Sequence, residues 1–218
     1  KVTMENADAV LAARAAYDAM PMKLRALIQN YDLLQIAETD LLEARIDSIG
    51  EVTLDSQVLI KELSAQYERM PMKEQKYVKN YSVLVAARKA LQALIDEKMA
   101  AEVQAMIDAI PGMGEITLEK EAAIREIEAA YKALTKDQRA LVDATHLENA
   151  LAIIKELRQE RIDRLIELIA KLGEEITLAD EAIIVEADEI YNWLTMDERK
   201  LVDYEKLDYC KEMMAKAE

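Results

Sequence analysis

Few residues of this chain are of the types that perform catalysis or bind metals. Its 218 residues include one histidine, His146, and one cysteine, Cys210. Metal sites built from imidazole or thiolate normally need several such ligands, and a Cys–His nucleophile pair would need these two distant residues to meet. We expect His146 to be an exposed residue in the first turn of a helix, and Cys210 to be a buried or half-buried thiol.

Other signatures of chemistry are also missing from the sequence. It contains no glycine-rich loop of the kind that binds phosphate, and its acidic residues lack the alternating spacing of an EF-hand loop. We expect these acids to lie on solvated helix faces. The sequence therefore predicts no enzymatic activity, no catalytic residue, no cofactor and no metal site.

Aromatic side chains are the remaining candidates for contact with a partner. Trp193 is the one tryptophan of the chain, and it follows Tyr191 by two positions, so we expect it to point away from a core that holds Tyr191. Tyr31, Tyr81 and Tyr204 follow the predicted second helix of their segments, and exposed tyrosines suit interfaces and sugar stacking. The alternative is that these three tyrosines have an ordinary structural role.

The charge of the chain argues against two classes of partner. It carries 43 Asp and Glu against 28 Lys and Arg, which gives a formal net charge of −15. Because nucleic acid is bound largely through Lys and Arg at its phosphates, we expect neither nucleic acid nor anionic lipid as a partner. No apolar run reaches the roughly 18 residues that cross a bilayer, so membrane insertion is not expected. The charge is expected to serve solubility.

One segment recurs four times along the chain, which sets its organisation. The copies open with Val2-Thr3-Met4, Val52-Thr53-Leu54, Ile116-Thr117-Leu118 and Ile176-Thr177-Leu178. A tyrosine follows at a constant distance, at Tyr17, Tyr67, Tyr131 and Tyr191. We divide the chain into repeat 1 (1–50, with a short third helix), repeat 2 (51–114), repeat 3 (115–174) and repeat 4 (175–218, truncated).

Each repeat is predicted to contain three helices, so that the fold is all-α. Only four Gly and three Pro interrupt a chain that is rich in good helix formers. Apolar residues at steps of three and four, such as Val10, Ala13 and Tyr17, predict an amphipathic first helix. The threonine of each opening tripeptide lies where an N-cap is needed.

The second helix of each repeat is predicted to be short, ending within about ten residues. It begins at Pro21 and Pro71 in repeats 1 and 2, and at the capping boxes of Thr135 and Thr195 in repeats 3 and 4. We expect it to bury an apolar pair in every repeat: Leu27-Ile28, Tyr77-Val78, Leu141-Val142 and Leu201-Val202. The methionines that flank the prolines are expected to fill gaps in the core, with an adaptable binding surface as the alternative: Met20, Met22, Met70 and Met72.

The third helix is predicted to begin at caps such as Thr145-x-x-Glu148 and Asp32-x-x-Gln35. Its expected extents are to Ile49 in repeat 1, from Val83 to Ile110 in repeat 2 and from Leu147 to Leu172 in repeat 3. A helix of about 26 residues is about 39 Å long, which is too long for the other two helices to cover. After turns at 111–114 and at Gly173-Glu174-Glu175, its far half should therefore pack on the first helix of the next repeat. The expected molecule is an elongated chain of tandem three-helix bundles joined by long shared helices.

The recurring motif is Val/Ile-Thr-Leu, then Ala-x-x-x-Tyr-x-x-Leu-Thr and Gln-x-x-Leu-Val, and it resembles a helical repeat of large Gram-positive bacterial cell-surface proteins. The best local match is Ile116-Thr117-Leu118 with residues 130–142, and the likeness extends over all four repeats. Repeats 1 and 2 depart from the motif in having Pro21 and Pro71 in place of Thr. The resemblance implies an extracellular, cell-surface-attached location and supplies no catalytic residue.

Two functions are compatible with these expectations. A structural spacer or stalk would hold other domains of the same polypeptide away from the cell wall. An adhesion module would instead bind a host protein or glycan through its helical faces. Because the chain opens with Lys1 rather than Met, we expect it to be a piece of a longer protein, without its signal peptide or anchor; whether Glu218 is a natural end stays open.

Overall fold

The computed structural model describes residues 2–173 and 175–217, with the backbone alone at residue 217. Within these ranges the chain consists of helices and turns and contains no strand, so the predicted all-α class is confirmed. Glu174, which belongs to a predicted turn, lies outside the described residues. The chain divides into two compact units, Lys1–Ala100 and Ala101–Glu218.

The first unit holds repeat 1 and most of repeat 2. Its helices are α1 (Ala7–Ala19), α2 (Met22–Arg25), α3 (Tyr31–Asp47), α4 (Gln57–Arg69), α5 (Met72–Gln75) and the first part of α6 (Tyr81–Asp108). The predicted bounds of the third helices, to Ile49 in repeat 1 and from Val83 to Ile110 in repeat 2, lie within two residues of those found. The stripe of apolar residues thus located these helices well.

The second unit holds the end of repeat 2 with repeats 3 and 4. Its helices are the last part of α6, then α7 (Glu121–Ala133), α8 (Lys136–Arg139), α9 (Thr145–Lys171), α10 (Glu181–Trp193), α11 (Met196–Arg199) and α12 (Tyr204–Ala217). One turn of 3-10 helix precedes the first helix of each repeat: Met4–Asn6, Leu54–Ser56, Leu118–Lys120 and Leu178–Asp180.

The opening threonine is the N-cap residue of the 3-10 turn that precedes each first helix, rather than of the α-helix itself. The backbone N–H of the opening threonine donates to the side chain three residues on at Thr3, Thr53 and Thr177. In repeat 3, Lys120 stands at that third position and has no acceptor atom to offer. Both predicted capping boxes are confirmed, Thr135 with Gln138 on α8 and Thr195 with Glu198 on α11.

The predicted caps of the third helix are wrong. α9 begins at Thr145 itself, and the side chain of Asp143 accepts a hydrogen bond from the backbone N–H of Thr145 at 3.0 Å. Hydrogen bonds from the side chain of Thr145 and from its backbone N–H lower the pKa of Asp143. α3 begins at Tyr31, so that Asp32 lies inside the helix rather than at its cap. α9 thus begins one residue earlier, and α3 two residues earlier, than the predicted caps imply.

The second helix of each repeat is a single turn of four residues, shorter than predicted. Because one turn has only its inner side against the bundle, the first member of each predicted buried pair is exposed: Leu27, Tyr77, Leu141 and Leu201. The second member is buried or half-buried in every repeat. Met22 and Met72 are also exposed, at 84% and 87%, so their predicted core role is wrong, whereas Met20 and Met70 are half-buried.

Buried apolar side chains in the described residues form three cores, each drawn from three helices. The core of the first unit joins the end of α3 with α4 and the start of α6: Leu42, Ile46, Ile49, Ile60, Leu63, Val78, Leu84, Ala87 and Leu91. Burial of such side chains supplies most of the favourable free energy of folding. Repeat 1 thus ends inside the core of repeat 2.

The second unit contains the other two cores. One joins the end of α6 with α7 and the start of α9: Val103, Ile107, Ile110, Ile116, Ile124, Leu134, Leu147, Ala150 and Ile154. The other joins the end of α9 with α10 and α12: Ile162, Leu165, Leu168, Ile169, Leu172, Ile184, Ala187, Leu194, Leu207, Cys210 and Met214. α9 therefore contributes its first half to one core and its second half to the next.

Candidate functional site

The lone histidine and the lone cysteine both serve packing. His146 lies in the first turn of α9 as predicted, but it is half-buried rather than exposed, with Nε2 3.1 Å from the carbonyl oxygen of Ile110. Since a carbonyl only accepts, Nε2 carries the proton and donates. Cys210 is fully buried, as predicted, and burial raises the pKa of its thiol. Within residues 2–173 and 175–217, no cluster of three or more His, Cys, Asp or Glu could hold a metal ion.

The three tyrosines singled out as contact candidates each stack on the tyrosine of the first helix of the same repeat. The ring centroids are 4.4 Å apart for Tyr31 on Tyr17, 3.9 Å for Tyr81 on Tyr67 and 4.3 Å for Tyr204 on Tyr191. Such stacking stabilises the fold beyond the burial of apolar surface, so one ring face of each tyrosine has a structural role. In repeat 3, Ala144 takes the place of this tyrosine, three residues before the buried Leu147. Contact with a partner through the outer faces stays a prediction.

Trp193 is 43% exposed at the end of α10 and lies outside the core of repeat 4. The guanidinium carbon of Arg161 lies 4.2 Å from its ring centroid and that of Arg158 lies 5.5 Å away. These cation–π contacts stabilise the packing of α10 on α9. The indole also lines an open cleft of about 610 Å³ between these two helices, together with Leu157 and Ile190. Its role in partner contact stays a prediction.

Arg158 joins side chains of two successive repeats. Its Nε donates to Glu121 of α7 at 2.8 Å, and its Nη1 donates to Glu198 of α11 at 2.6 Å. Burial opposes ionisation of Glu198, but hydrogen bonds from Arg158 and Thr195 outweigh it and hold the pKa of Glu198 below its ordinary value. One guanidinium thus ties repeat 3 to repeat 4 through two carboxylates.

A buried acid performs the equivalent task between repeats 1 and 2. Glu43 of α3 accepts a hydrogen bond from the backbone N–H of Lys79 at 2.8 Å, and its own carbonyl accepts one from Asn80. Between repeats 2 and 3, the side-chain oxygen of Gln104 accepts from the backbone N–H of Asp143 at 2.8 Å. This role could not be predicted from residue type and spacing, because both side chains have those of ordinary polar residues on a helix surface. Their position in the sequence could have indicated the role, since Glu43 directly follows the buried Leu42 and Gln104 directly follows the buried Val103.

A second cleft, of about 750 Å³, lies in the first unit between the helices of repeats 1 and 2. Arg14 pairs there with Glu38 at 2.5 Å, and Arg45 pairs with Glu62 at 3.1 Å. These charges are neutralised within the protein rather than offered to a ligand. The cleft is therefore a seam between repeats whose walls carry these two ion pairs.

The contacts that recur along the chain are those that join one repeat to the next, and we take these junctions as the candidate functional feature. Of the helices in the described residues, none is both long and apolar enough to cross a membrane. No family model matches the chain, and no curated protein or solved structure is significantly similar to it.

Proposed function

We propose that this chain is a non-enzymatic structural spacer, the stalk region of a bacterial cell-surface protein. The observation that carries the proposal is the continuity of the third helices. α3 runs without a break from repeat 1 into the core of repeat 2, where Leu42 and Ile46 pack with Ile60. Because no linker intervenes, the two repeats cannot move independently. Such coupling suits a spacer that must keep a fixed length and resist bending.

The second unit supports the same function. α9 has 27 residues, which corresponds to about 40 Å of straight helix. Its two halves belong to successive cores, and Arg158 adds a polar tie between the repeats at the same junction. Length in such a chain is set by rigid helices, so each added repeat extends the spacer by a defined step. An elongated overall form is part of this proposal.

The location and partners in the proposal come from the resemblance of the repeat motif. That motif resembles repeats of Gram-positive surface proteins, so the chain would be extracellular, attached to the cell surface, and its partners would be other domains of the same polypeptide. The net charge of −15 suits a solvated stalk. The packing roles of His146 and Cys210 support a function without catalysis.

A deletion that removes one repeat in register, so that the end of α6 takes the place of the end of α9 over repeat 4, tests the spacer function. Removal of residues 116–175 joins Glu115 to Ile176, so that the end of α6 meets α10 in place of α7. The intact and shortened chains are displayed on a cell surface with a terminal tag, and binding of a large antibody to the tag is measured. We expect weaker antibody binding to the shortened chain, with restoration when residues 116–175 are inserted again. Equal binding by both chains, each shown to be helical by circular dichroism, would contradict the spacer.

A second candidate function is adhesion to a host protein or glycan, and one observation favours it. The first residue of the short helix is an exposed methionine in three repeats, namely Met22, Met72 and Met196. Repeated exposed apolar side chains are suited to binding. We expect an adhesive chain to be retained on a mucin-coated surface and to lose that retention when all three methionines are replaced by lysine. Retention that is unchanged in the triple variant would count against these faces as the binding surface.

A further inference from the structure

Three of the four repeats are covered by apolar residues at one constant spacing, which we name the closing stripe. It consists of Leu42, Ile46 and Ile49 over repeat 2; Val103, Ile107 and Ile110 over repeat 3; and Leu165, Ile169 and Leu172 over repeat 4. All nine side chains are buried, and each group of three belongs to the core of the repeat that it covers. The steps of four and three residues put the three side chains on one face of a helix.

The closing stripe covers the first and third helices of the repeat on which it lies. In repeat 2, Leu63 of α4 and Leu84 of α6 are fully buried beneath it, and Ala87 of α6 is buried beside them. The equivalent residues of repeats 3 and 4 on the third helix are buried as well, at Leu147 and Leu207. A repeat of this kind therefore completes its core with a helix from its neighbour.

Repeat 1 presents the same surface without a closing stripe upon it. Ala13 is exposed, and Leu34 and Ala37 are only half-buried; they correspond to Leu63, Leu84 and Ala87 of repeat 2. They line a groove of about 410 Å³ between α1 and α3, together with Val10 and Tyr17. Repeats 1 and 2 have the same apolar pattern at these positions, so the difference in burial comes from whether a closing stripe covers the helices.

The walls of this groove suit a helix as occupant. Ala9, Ala13 and Ala16 follow α1 along the groove, and Ala37 lies opposite on α3. Such small side chains allow a third helix to approach closely and to insert large aliphatic residues, in the manner of ridges packing into grooves. Charged side chains are absent from the described residues that line this groove, so its chemistry matches an apolar stripe rather than a polar peptide.

We propose that this groove is the docking site for the end of a third helix of a further repeat, supplied by the same polypeptide from the N-terminal side of Val2. The helix would carry the closing stripe Leu/Val-x-x-x-Ile-x-x-Ile/Leu. Within the chain, short connections join each closing stripe to the repeat that it covers, as Gly50-Glu51 does between Ile49 and Val52. A folded second copy is a poor source, because its three closing stripes are buried in its own cores. The proposal rests on repeat packing and stands whether or not the chain acts as a spacer.

The first test adds a peptide in trans. A synthetic peptide of residues 96–113, which contains the closing stripe of α6, is titrated into the full chain while its alanine and leucine methyl groups are followed by NMR. We expect saturable shifts at Ala13, Leu34 and Ala37, with a dissociation constant on the order of 0.1–1 mM because the peptide must fold as it binds. The same peptide with Ile107→Asp should bind at least about tenfold more weakly. Equal shifts with both peptides, or shifts centred on Leu147 instead, would overturn the proposal.

The second test removes the folding penalty of a free peptide by joining the helix to the chain. Residues 96–115 are fused directly before Val2, in place of Lys1, which copies the natural connection of α6 to Ile116. We expect the fusion to raise the thermal midpoint of unfolding and to perturb the methyl groups of Ala13 and Ala37, since the effective concentration is high. The fusion with Ile107→Asp is the control. A midpoint and methyl spectrum that do not differ between fusion and control would overturn the proposal.

Discussion

The side-chain carboxylate of Glu43 accepts a hydrogen bond from the backbone N–H of Lys79 at 2.8 Å. The two residues belong to successive repeats, and Lys79 follows the short helix α5 at the point where the chain turns toward α6. Gln104 and Asp143 repeat the relationship one junction later, also at 2.8 Å. A polar side chain on the third helix thus holds the loop of the next repeat in register, beside the apolar contacts that close its core.

Glu43→Ala should destabilise the first unit, because it leaves the backbone N–H of Lys79 without its acceptor at a partly buried site. We expect a loss of about 1–3 kcal/mol in the free energy of unfolding, measured by urea denaturation. Glu43→Gln is the matched control, since glutamine keeps an acceptor oxygen and stands at the equivalent position 104. A variant with glutamine that is as unstable as the alanine variant would contradict the role of the acceptor.

Leu165→Ala and Ile166→Ala compare two neighbours on the far half of α9. Leu165 is 0% exposed in the core of repeat 4, whereas Ile166 is 44% exposed. We expect a loss of about 2–5 kcal/mol for Leu165→Ala and of less than about 1 kcal/mol for Ile166→Ala. The measurement is the free energy of unfolding of each variant. Similar losses at both positions would mean that this half of α9 does not pack on α10 as described.

The sequence predicted the long helices well because their signals are local and periodic. Apolar residues at steps of three and four define both the presence of α9 and the face that it buries. The capping boxes of Thr135 and Thr195 were equally readable, since their partners lie three residues away. Such features depend on neighbours in the sequence, so tertiary packing did not overrule them.

The sequence could not assign the residues that depend on how separate helices meet. Leu27 and Leu201 were expected to be buried, but a one-turn helix has too few residues for a period to define its inner face. Glu43 was not distinguished from other acids, because its burial depends on the approach of the Lys79 loop. The stacking of Tyr81 on Tyr67 likewise needs the distance between two helices, which no spacing within either helix specifies.

The ion pair of Arg158 with Glu198 makes a prediction about pH. The pKa of Glu198 is lowered from an ordinary value of 4.5 in the folded protein, so its stabilising effect is present above that value and is lost as the pH falls through the lower folded-state pKa. Arg158→Gln should therefore lower the Tm at pH 7, and the difference from the unaltered protein should shrink on acidification. Calorimetry at a series of pH values measures both effects.

Arg164→Gln provides the control for this prediction. Arg164 pairs with Glu186 at 2.9 Å, but both side chains are substantially exposed, and exposed ion pairs contribute little to stability. We expect a smaller change in Tm at pH 7 than for Arg158→Gln. An equal or larger change in Tm would show that the ion pairs of Arg158 stabilise the protein no more than an exposed ion pair does.

Cys210 offers a test of the packing of repeat 4. Its thiol is fully buried, and burial raises its pKa, so both access and thiolate content are reduced in the folded protein. We expect an aromatic disulfide reagent to react with native Cys210 at least about a hundredfold more slowly than with the guanidinium-unfolded chain. Equal rates in the two states would contradict the burial of this helix face.

The proposed spacer function requires that helices shared between repeats make the chain extended and stiff, and small-angle X-ray scattering tests this requirement most directly. A compact chain of 218 residues has a radius of gyration of about 17 Å. The spacer predicts a radius at least half as large again, together with a distance distribution that is skewed toward long distances. A radius close to about 17 Å with a symmetric distribution would contradict the account.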